Sequence, residues 1–283
     1  MNNSKHYPIS FLCKMSKVSR SGYYEWLGRK ESSRVQSDRA LIVDIKSIYH
    51  ESRKTYGSIR ICRELKSQGK VVSKNRIASL MQKEGIKSVH KLKFKPSTTD
   101  SRHQLAVATN VIHQDFTTTG PNQKWGCDIT YIPTKEGWLY LAIVLDFYSR
   151  KVVGWSFDDS LHAELCCDAL KMASLRRNSP KELIHHSDRG VQYASGMYCK
   201  LLKENRFIQS MSRKGNCYDN AITESWFHTY KVECVQQNKY QTKEHARLSG
   251  IDYIENFYNI KRRHSSLDYL SPIDYENNYR LKA

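Results

Sequence analysis

The sequence predicts an α/β chain in which an all-helical, basic front region precedes a mixed five-stranded sheet with flanking helices. Three observations predict it. Apolar residues recur at helical spacing through residues 8–90, whereas from Lys124 the period falls to two. Charge divides at the same place: Lys and Arg outnumber Asp and Glu by 23 to 9 in residues 1–120 and by 23 to 19 in residues 121–283. Three strands in direct succession then give way to alternating helices and strands. At 283 residues, 39% hydrophobic and 11% aromatic, the chain can bury a sizeable core. The expected divisions are a helical segment (1–35), a helix-turn-helix region (36–90), a linker (91–120), the sheet-bearing core (121–235) and a C-terminal helical extension (236–283).

In the front region, Ile9–Leu12 opens a first helix, and Ser19 or Ser21 can cap a second whose apolar face carries Tyr23 and Trp26. A third runs from about Asp38 to Glu51 with Leu41, Ile42, Ile45 and Ile48 inward. Ser58 can cap a fourth with Ile59, Cys62 and Leu65 inward, closed by Gly69. Ser73 caps a fifth with Ile77, Leu80 and Met81 inward, closed by Gly85. Helix, short link, helix is the layout of a helix-turn-helix, and it puts Lys74, Asn75 and Arg76 at the start and outer face of the recognition helix, where such side chains suit phosphates and base edges. The net charge of +18, concentrated in front, implies a polyanionic partner. Residues 91–123, with Lys91, Lys93 and Lys95 among apolar residues, read as a linker holding a short strand or helix.

In the second half, Trp125–Ile132 is a strand with Cys127, Ile129 and Tyr131 on one face and Asp128 and Thr130 on the other. Lys135–Gly137 is a turn, and Trp138–Phe147 is apolar enough to be buried on both faces. Lys151–Phe157 completes a meander. A helix (Ala163–Arg177), a strand (Leu183–His186), a helix (about Ser195–Asn205), a strand (Ile208–Met211) and helices at Asn220–Val235 and about Thr242–Tyr258 follow. The order βββαβαβα is that of a ribonuclease-H-like fold. The eight cysteines form no Cys-x-x-Cys pair or zinc spacing, so they read as reduced thiols. The start of the chain has no apolar signal region, and the longest strongly apolar run, Leu139–Leu145, is far too short to span a membrane. A reducing bacterial cytoplasm, beside the nucleoid, is expected.

Three carboxylates draw attention. Asp128 lies inside a strand, where propensity disfavours it unless it faces solvent or a metal. Asp188 follows an apolar strand directly, in His185-His-Ser-Asp-Arg-Gly-Val-Gln-Tyr193. Glu224 falls in the first turns of a helix, with His228 and Lys231 on its face at i+4 and i+7. Each alone admits a structural reading. In this fold the three converge at one end of the sheet, where bare carboxylates would repel one another. Divalent metal resolves that repulsion, and carboxylate oxygens suit Mg²⁺ or Mn²⁺. Two ions can serve an in-line phosphoryl displacement. Lys231, and less directly His228, would then face the DNA backbone.

The chain resembles bacterial insertion-sequence transposases of the OrfB type (the IS-three group), relatives of retroviral integrases. The resemblance rests on Pro121-Asn-Gln-Lys-Trp125 leading into Asp128-Ile-Thr130, on His186–Tyr193, and on Ser212-Arg-Lys-Gly-Asn-Cys-Tyr-Asp-Asn-Ala221 followed by Glu224 and Lys231. Thirty-five residues separate Asp188 from Glu224, the spacing this group has. The tail Tyr258–Leu267 with Ser271-Pro272, and Tyr56-Gly57 and Arg60-Ile61 ahead of the helix pair, complete a match over about residues 7–276. It implies metal-dependent DNA cleavage and strand transfer, with Asp128, Asp188 and Glu224 holding two Mg²⁺ or Mn²⁺ ions. It also implies that Lys231 contacts DNA and that Arg213, Asn216 and Asn220 shape the loop and helix start beside Glu224, with Arg213 near the DNA. The implied partners are double-stranded DNA (terminal inverted repeats and target), further copies of the chain on that DNA, and an upstream-frame protein supplied separately or as a fusion. Asp146 and Arg150 read as a structural pair. The competing expectations are a nuclease of the same fold that never joins strands and a catalytically idle DNA-binding relic.

Overall fold

The computed structural model describes residues 7–89, 106–178, 181–213 and 217–281. The linker lysines Lys91, Lys93 and Lys95, and Asn216, lie outside the described residues.

Five helices form the front region: α1 (Ile9–Met15), α2 (Arg20–Gly28), α3 (Ser33–Glu51), α4 (Ser58–Ser67) and α5 (Lys74–Lys83). Ser19, Ser32 and Ser73 each accept a hydrogen bond from the amide three residues on, a cap of about 1 kcal/mol apiece. Gly69 and Gly85, with φ of +80° and +67°, end α4 and α5 where an L side chain would be strained. Helices α3, α4 and α5 share one core of Leu41, Ile45, Ile48, Tyr56, Ile61, Leu65, Ile77, Leu80 and Met81. Two expectations fail here, the Ser58 cap and the inward Ile59: Gly57 is the N-cap of α4, with no side-chain cap bond, and Ser58 is the first helical residue. Ile61, not Ile59, points inward beside Leu65, because Ile59 lies two residues and so about 200° round the helix from Ile61; it is half exposed. No residue of α2 is buried, and Trp26 is 64% exposed: among the described residues nothing thick enough covers the Tyr23–Trp26 face.

The sheet contains β1 (Lys124–Thr134), β2 (Gly137–Asp146), β3 (Val152–Asp158), β4 (Ile184–Ser187) and β5 (Ile208–Met211), in the order β3-β2-β1-β4-β5. Strands β1, β2 and β3 pair antiparallel, while β4 lies parallel to both β1 and β5. On one face, α6 (Ala163–Arg176) and α7 (Gly196–Glu204) cover Trp125, Cys127, Ala142 and Val144. On the other, α8 (Ala221–Glu233) and α9 (Lys243–Asp252) cover Ile132, Leu139, Leu141 and Ile143. The twofold burial expected of β2 follows from this sandwich. The single helix expected over Thr242–Tyr258 widens after Asp252 into a π-helical turn, Tyr253–Tyr258, and α10 (Pro272–Arg280) closes the extension. Of the stretch 91–123, expected to hold a short strand or helix, residues 91–105 lie outside the described residues and 106–123 hold neither; this part of the chain lies along the outer edge of β5, where Ser210 Oγ accepts from the Val111 amide at 2.9 Å.

Two glycines let helices seat closely on the sheet. A Cβ on Gly126 would stand 2.6 Å from Thr223 Oγ1 and 2.4 Å from the Phe147 ring, so only glycine lets the start of α8 lie this close to β1. A Cβ on Gly154 would meet the Ala169 carbonyl at 2.2 Å, so α6 seats on β3 for the same reason.

Candidate active site

The register of the parallel ladder brings two acids together. Its last pair is Cys127 with Ser187, so Asp128 and Asp188 are the next residue on each strand, side by side where the ladder ends. Asp128 Oδ1 accepts from the Ile129 amide and Asp188 Oδ1 from the Gly190 amide, both at 2.8 Å, which fixes each carboxylate against its own backbone. Gly190 is required for the second contact, since a Cβ there would stand 2.9 Å from that oxygen. Both aspartates are half-buried and line one cleft of about 150 Å³ with Tyr131, Tyr140, Leu161 and Gln192.

Glu224 lies in the first turn of α8, exposed, behind a 3₁₀ turn over Cys217–Asn220. It is not part of the cleft lining, but the three acids feel one another. Burial, then Asp188, then Glu224 push the Asp128 carboxyl well above its ordinary value. Burial and Asp188 likewise raise Glu224. Lys231, two turns further along α8, is pulled down by burial and held up by Asp128; its Nζ sits 5.0 Å from the centre of the Tyr131 ring. His228 is exposed on the same helix. Among the described residues no three His, Cys, Asp or Glu side chains already close around a single metal position. The donor set nonetheless fits a divalent cation: hard oxygens, of which burial and then like charge raise Asp128 and Glu224, a conflict that a bound cation removes.

Arg213 is brought not to the carboxylates but to Asp219. Its amide, Nε and Nη2 donate to that side chain at 2.8, 3.1 and 2.9 Å, and Asn110 and Gln114 add bonds of 2.9 and 3.1 Å. The Arg213 side chain stays half exposed, while Asp219 is fully buried and held far below the usual carboxylate range by Arg213. Asp219 therefore ties the 106–115 segment and the end of β5 to the turn that starts α8. Sequence reasoning missed it, because an acid next to a helix start has an ordinary reading and its partners are up to 109 residues away. Asn220 is the N-cap of α8 but makes no side-chain cap bond. Asp146 is structural, as expected, although its carboxylate is met by the amides of Asn122, Tyr148 and Ser149 rather than clasped by Arg150.

Beneath the aspartates, Cys127 Sγ contacts His185 Nε2 at 3.2 Å and Tyr198 Oη at 3.4 Å, all buried. Burial pushes His185 down to about 3 and raises the Cys127 thiol, so this group is neutral packing. The seven described cysteine side chains are all free thiols. In the front region Lys74 and Asn75 are exposed at the first turn of α5, whereas Arg76 turns onto Asp38 Oδ1 at 2.7 Å and Ser37 Oγ at 3.0 Å.

Family models and known proteins are similar to this chain in sequence. Residues 36–94 match an HTH-like domain, and residues 118–217 and 224–279 match two models of an integrase core domain. The chain is 42% identical over 273 residues to the transposase InsF for insertion sequence IS3A of Escherichia coli (strain K12), covering 96% of this chain and 94% of that one. It is 41% identical over 272 residues to the insertion element IS600 uncharacterized 31 kDa protein of Shigella sonnei, covering 96% and 100%. Among solved structures, the HTLV-2 integrase catalytic core domain in complex with magnesium aligns at 15% identity with a TM-score of 0.42, over 56% of this chain and 99% of that one. The chain thus belongs to the transposases of IS3-type insertion sequences, a ribonuclease-H-like integrase core joined to a helix-turn-helix region.

Proposed function

We propose that the chain cuts and joins DNA strands at the ends of an insertion sequence, with Asp128, Asp188 and Glu224 as its catalytic carboxylates. One observation carries the assignment: Asp128 and Asp188 leave the same ladder end side by side, and Asp128 feels both Asp188 and Glu224 as like charges. Mg²⁺ or Mn²⁺ bound by these three, as a pair of ions, would supply Lewis-acid stabilisation of the attacking and leaving oxygens. The chain's own part is orientation. The amides of Ile129 and Gly190 hold the two aspartates in fixed rotation, and Glu224 approaches on a helix seated against β1 over Gly126. Lys231 supplies a cation beside Asp128 for the phosphate of the strand being cut, and His228 lies on the same face.

In the first step, water oxygen bonds to phosphorus and the P–O3′ bond breaks, the departing 3′ oxygen taking a proton. In the second, that 3′-OH attacks a phosphodiester of the target, forming a new P–O3′ bond as the target's own 3′ oxygen leaves. No covalent enzyme intermediate is required. Residues 36–90, through Lys74, Asn75 and Arg76, would read the terminal inverted repeats ahead of the catalytic core at 121–235, with Arg213 near the DNA. The partners are double-stranded DNA, a second copy of the chain to pair two ends, and an upstream-frame protein. No described helix is long and apolar enough to cross a membrane, and the bacterial cytoplasm beside the nucleoid is the working location.

The test is a strand-transfer assay with Mg²⁺ or Mn²⁺, a labelled duplex ending in the element's inverted repeat, and Asp188→Asn alongside. Joined products that need metal and vanish in the variant are expected. Cleavage without joining would indicate a nuclease or a missing upstream partner, and no metal-dependent product with that partner supplied would indicate a DNA-binding relic.

A further inference from the structure

In Lys261-Arg262-Arg263, part of the tail after the catalytic core, the two arginines turn toward carboxylates of the chain itself. We propose that Arg262 and Arg263 are positioning residues that set the distance between the DNA bases read by α4 and α5 and the phosphodiester cut at the carboxylates. The inference rests on the function proposed above.

Arg262 is buried, and its Nε and Nη2 grip the two oxygens of Glu233 at 2.7 and 2.8 Å. Tyr253 Oη donates to the same carboxylate at 2.8 Å, and Arg60 of α4 stands 3.8 Å from it. Glu233 is the last residue of α8, whose first turn carries Glu224. The nine steps from Glu224 to Glu233 make a rod of about 14 Å at 1.5 Å per residue. Arg263 faces the other way. Its Nε donates to Glu64 at 2.5 Å and its Nη2 to Ser67 Oγ at 2.8 Å, both on α4. Its amide donates to Tyr56 Oη at 2.8 Å, and that hydroxyl donates to the Lys261 carbonyl at 3.1 Å. Tyr56 is itself part of the core shared by α3, α4 and α5. Adjacent arginines thus join the far end of the catalytic helix to the helix pair. Arg53 reinforces the join, with its Nη2 at 2.7 Å from Asp252 and its guanidinium 5.0 Å from the Phe257 ring centre.

A flexible tether would let the catalytic centre reach several phosphodiesters around a bound repeat. A multiply hydrogen-bonded join, buried at Arg262 and part-buried at Arg263, admits one. The two cations are used against carboxylates rather than DNA, so their loss should alter where the chain cuts more than how tightly it binds.

The experiment uses the full chain, a duplex carrying one end of the DNA that flanks its own reading frame, and the variants Arg263→Glu, Glu64→Arg and the double exchange. Cut positions are read to single-nucleotide resolution, and hydroxyl-radical protection is mapped on the same duplex. The wild type should cut one bond and protect repeat and terminus continuously. Each single variant should scatter cuts over neighbouring bonds and lose protection at the terminus while keeping it over the repeat, and the double exchange should restore both. Cuts confined to the wild-type bond in lower yield, with protection unchanged, would overturn the proposal and leave the arginines a purely folding role. A wild type that protects DNA but never cuts would instead defeat the carboxylate reading, and the protection pattern of Arg263→Glu would still decide this one.

Discussion

The protein treats its sequestered acids in two opposite ways. Glu276 is 2% exposed; burial works against its charge, yet Arg177 at 2.5 Å, Lys151 at 3.6 Å and the Ser149 hydroxyl hold its carboxyl below its ordinary value. Glu233 has Arg262, and Asp219 has Arg213. Asp128 and Glu224 run the other way: burial first, and then Asp188 as a like charge, raise both carboxyls, with Glu224 adding to the rise of Asp128 and Lys231 partly offsetting it. A buried acid with its arginine is a finished structural element. Acids raised by burial and by like charge hold a conflict that folding alone does not remove, and such groups cluster at functional sites. The contrast sets the three carboxylates proposed as catalytic apart from three structural ones with no reference to motif.

Asp188→Asn should break the comparison furthest. Asp188 is proposed to hold metal, so its loss should forfeit several kcal/mol of transition-state stabilisation, a fall on the order of a thousandfold in strand cleavage. The same substitution should leave metal-free stability intact or raise it by about 1 kcal/mol, since Asn keeps the acceptor for the Gly190 amide and removes a like charge from Asp128. Turnover and urea denaturation on one preparation check both halves; a destabilised Asp188→Asn would mean that Asp188 belongs with the structural acids.

Arg262→Met does the reverse. It leaves the Glu233 carboxylate buried without its arginine, which should cost about 3–5 kcal/mol. Denaturant midpoints would register it, and a cost below about 1 kcal/mol, the range of an exposed pair, would show the join to be open to water.

Asp219→Asn lies between these two. Its folded-state pKa is depressed, by Arg213 first, so its contribution is complete above the unfolded value of about 3.9 and is lost as pH falls through the folded one. With Arg213 half exposed, the cost should fall near the lower end of about 1.5–3 kcal/mol at pH 7 and shrink below about pH 4. Denaturation at the two pH values measures the difference, and a gap that stays constant with pH would remove charge from the explanation.

The same contrast explains what could be read in advance. The places of Asp128, Asp188 and Glu224 in the fold were legible because each sits at a landmark that periodicity locates: a strand interior, a strand end, a helix start. The cations were not. Arg213, Arg262 and Arg263 look alike in sequence, and each is assigned by a carboxylate 6, 29 and 199 residues away, a pairing that exists only once the chain has folded. The inward set of α4 was misread by a single position, since Ile59 and Ile61 are equally apolar and only the helix phase distinguishes them. The Tyr23–Trp26 face of α2 is apolar yet exposed, because amphipathicity reports that a helix wants a partner, not that the chain provides one. The π-helical turn at Tyr253–Tyr258 left no mark in the spacing.

The smallest expected effect separates two cations on one turn. Lys74 is exposed at the start of α5, while its neighbour Arg76 is already bound to Asp38. Lys74→Ala should leave folding unchanged, weaken binding to all duplexes alike and lower the slope of log affinity against log salt by about one. Arg76→Ala should instead lower the denaturation midpoint, because Asp38 loses its partner, and move the salt slope less. Fluorescence anisotropy on one duplex at several salt concentrations measures both slopes. Equal losses from the two variants would mean that Arg76 lets go of Asp38 to meet a phosphate, and pairing in the DNA-free protein would then no longer mark a cation as structural.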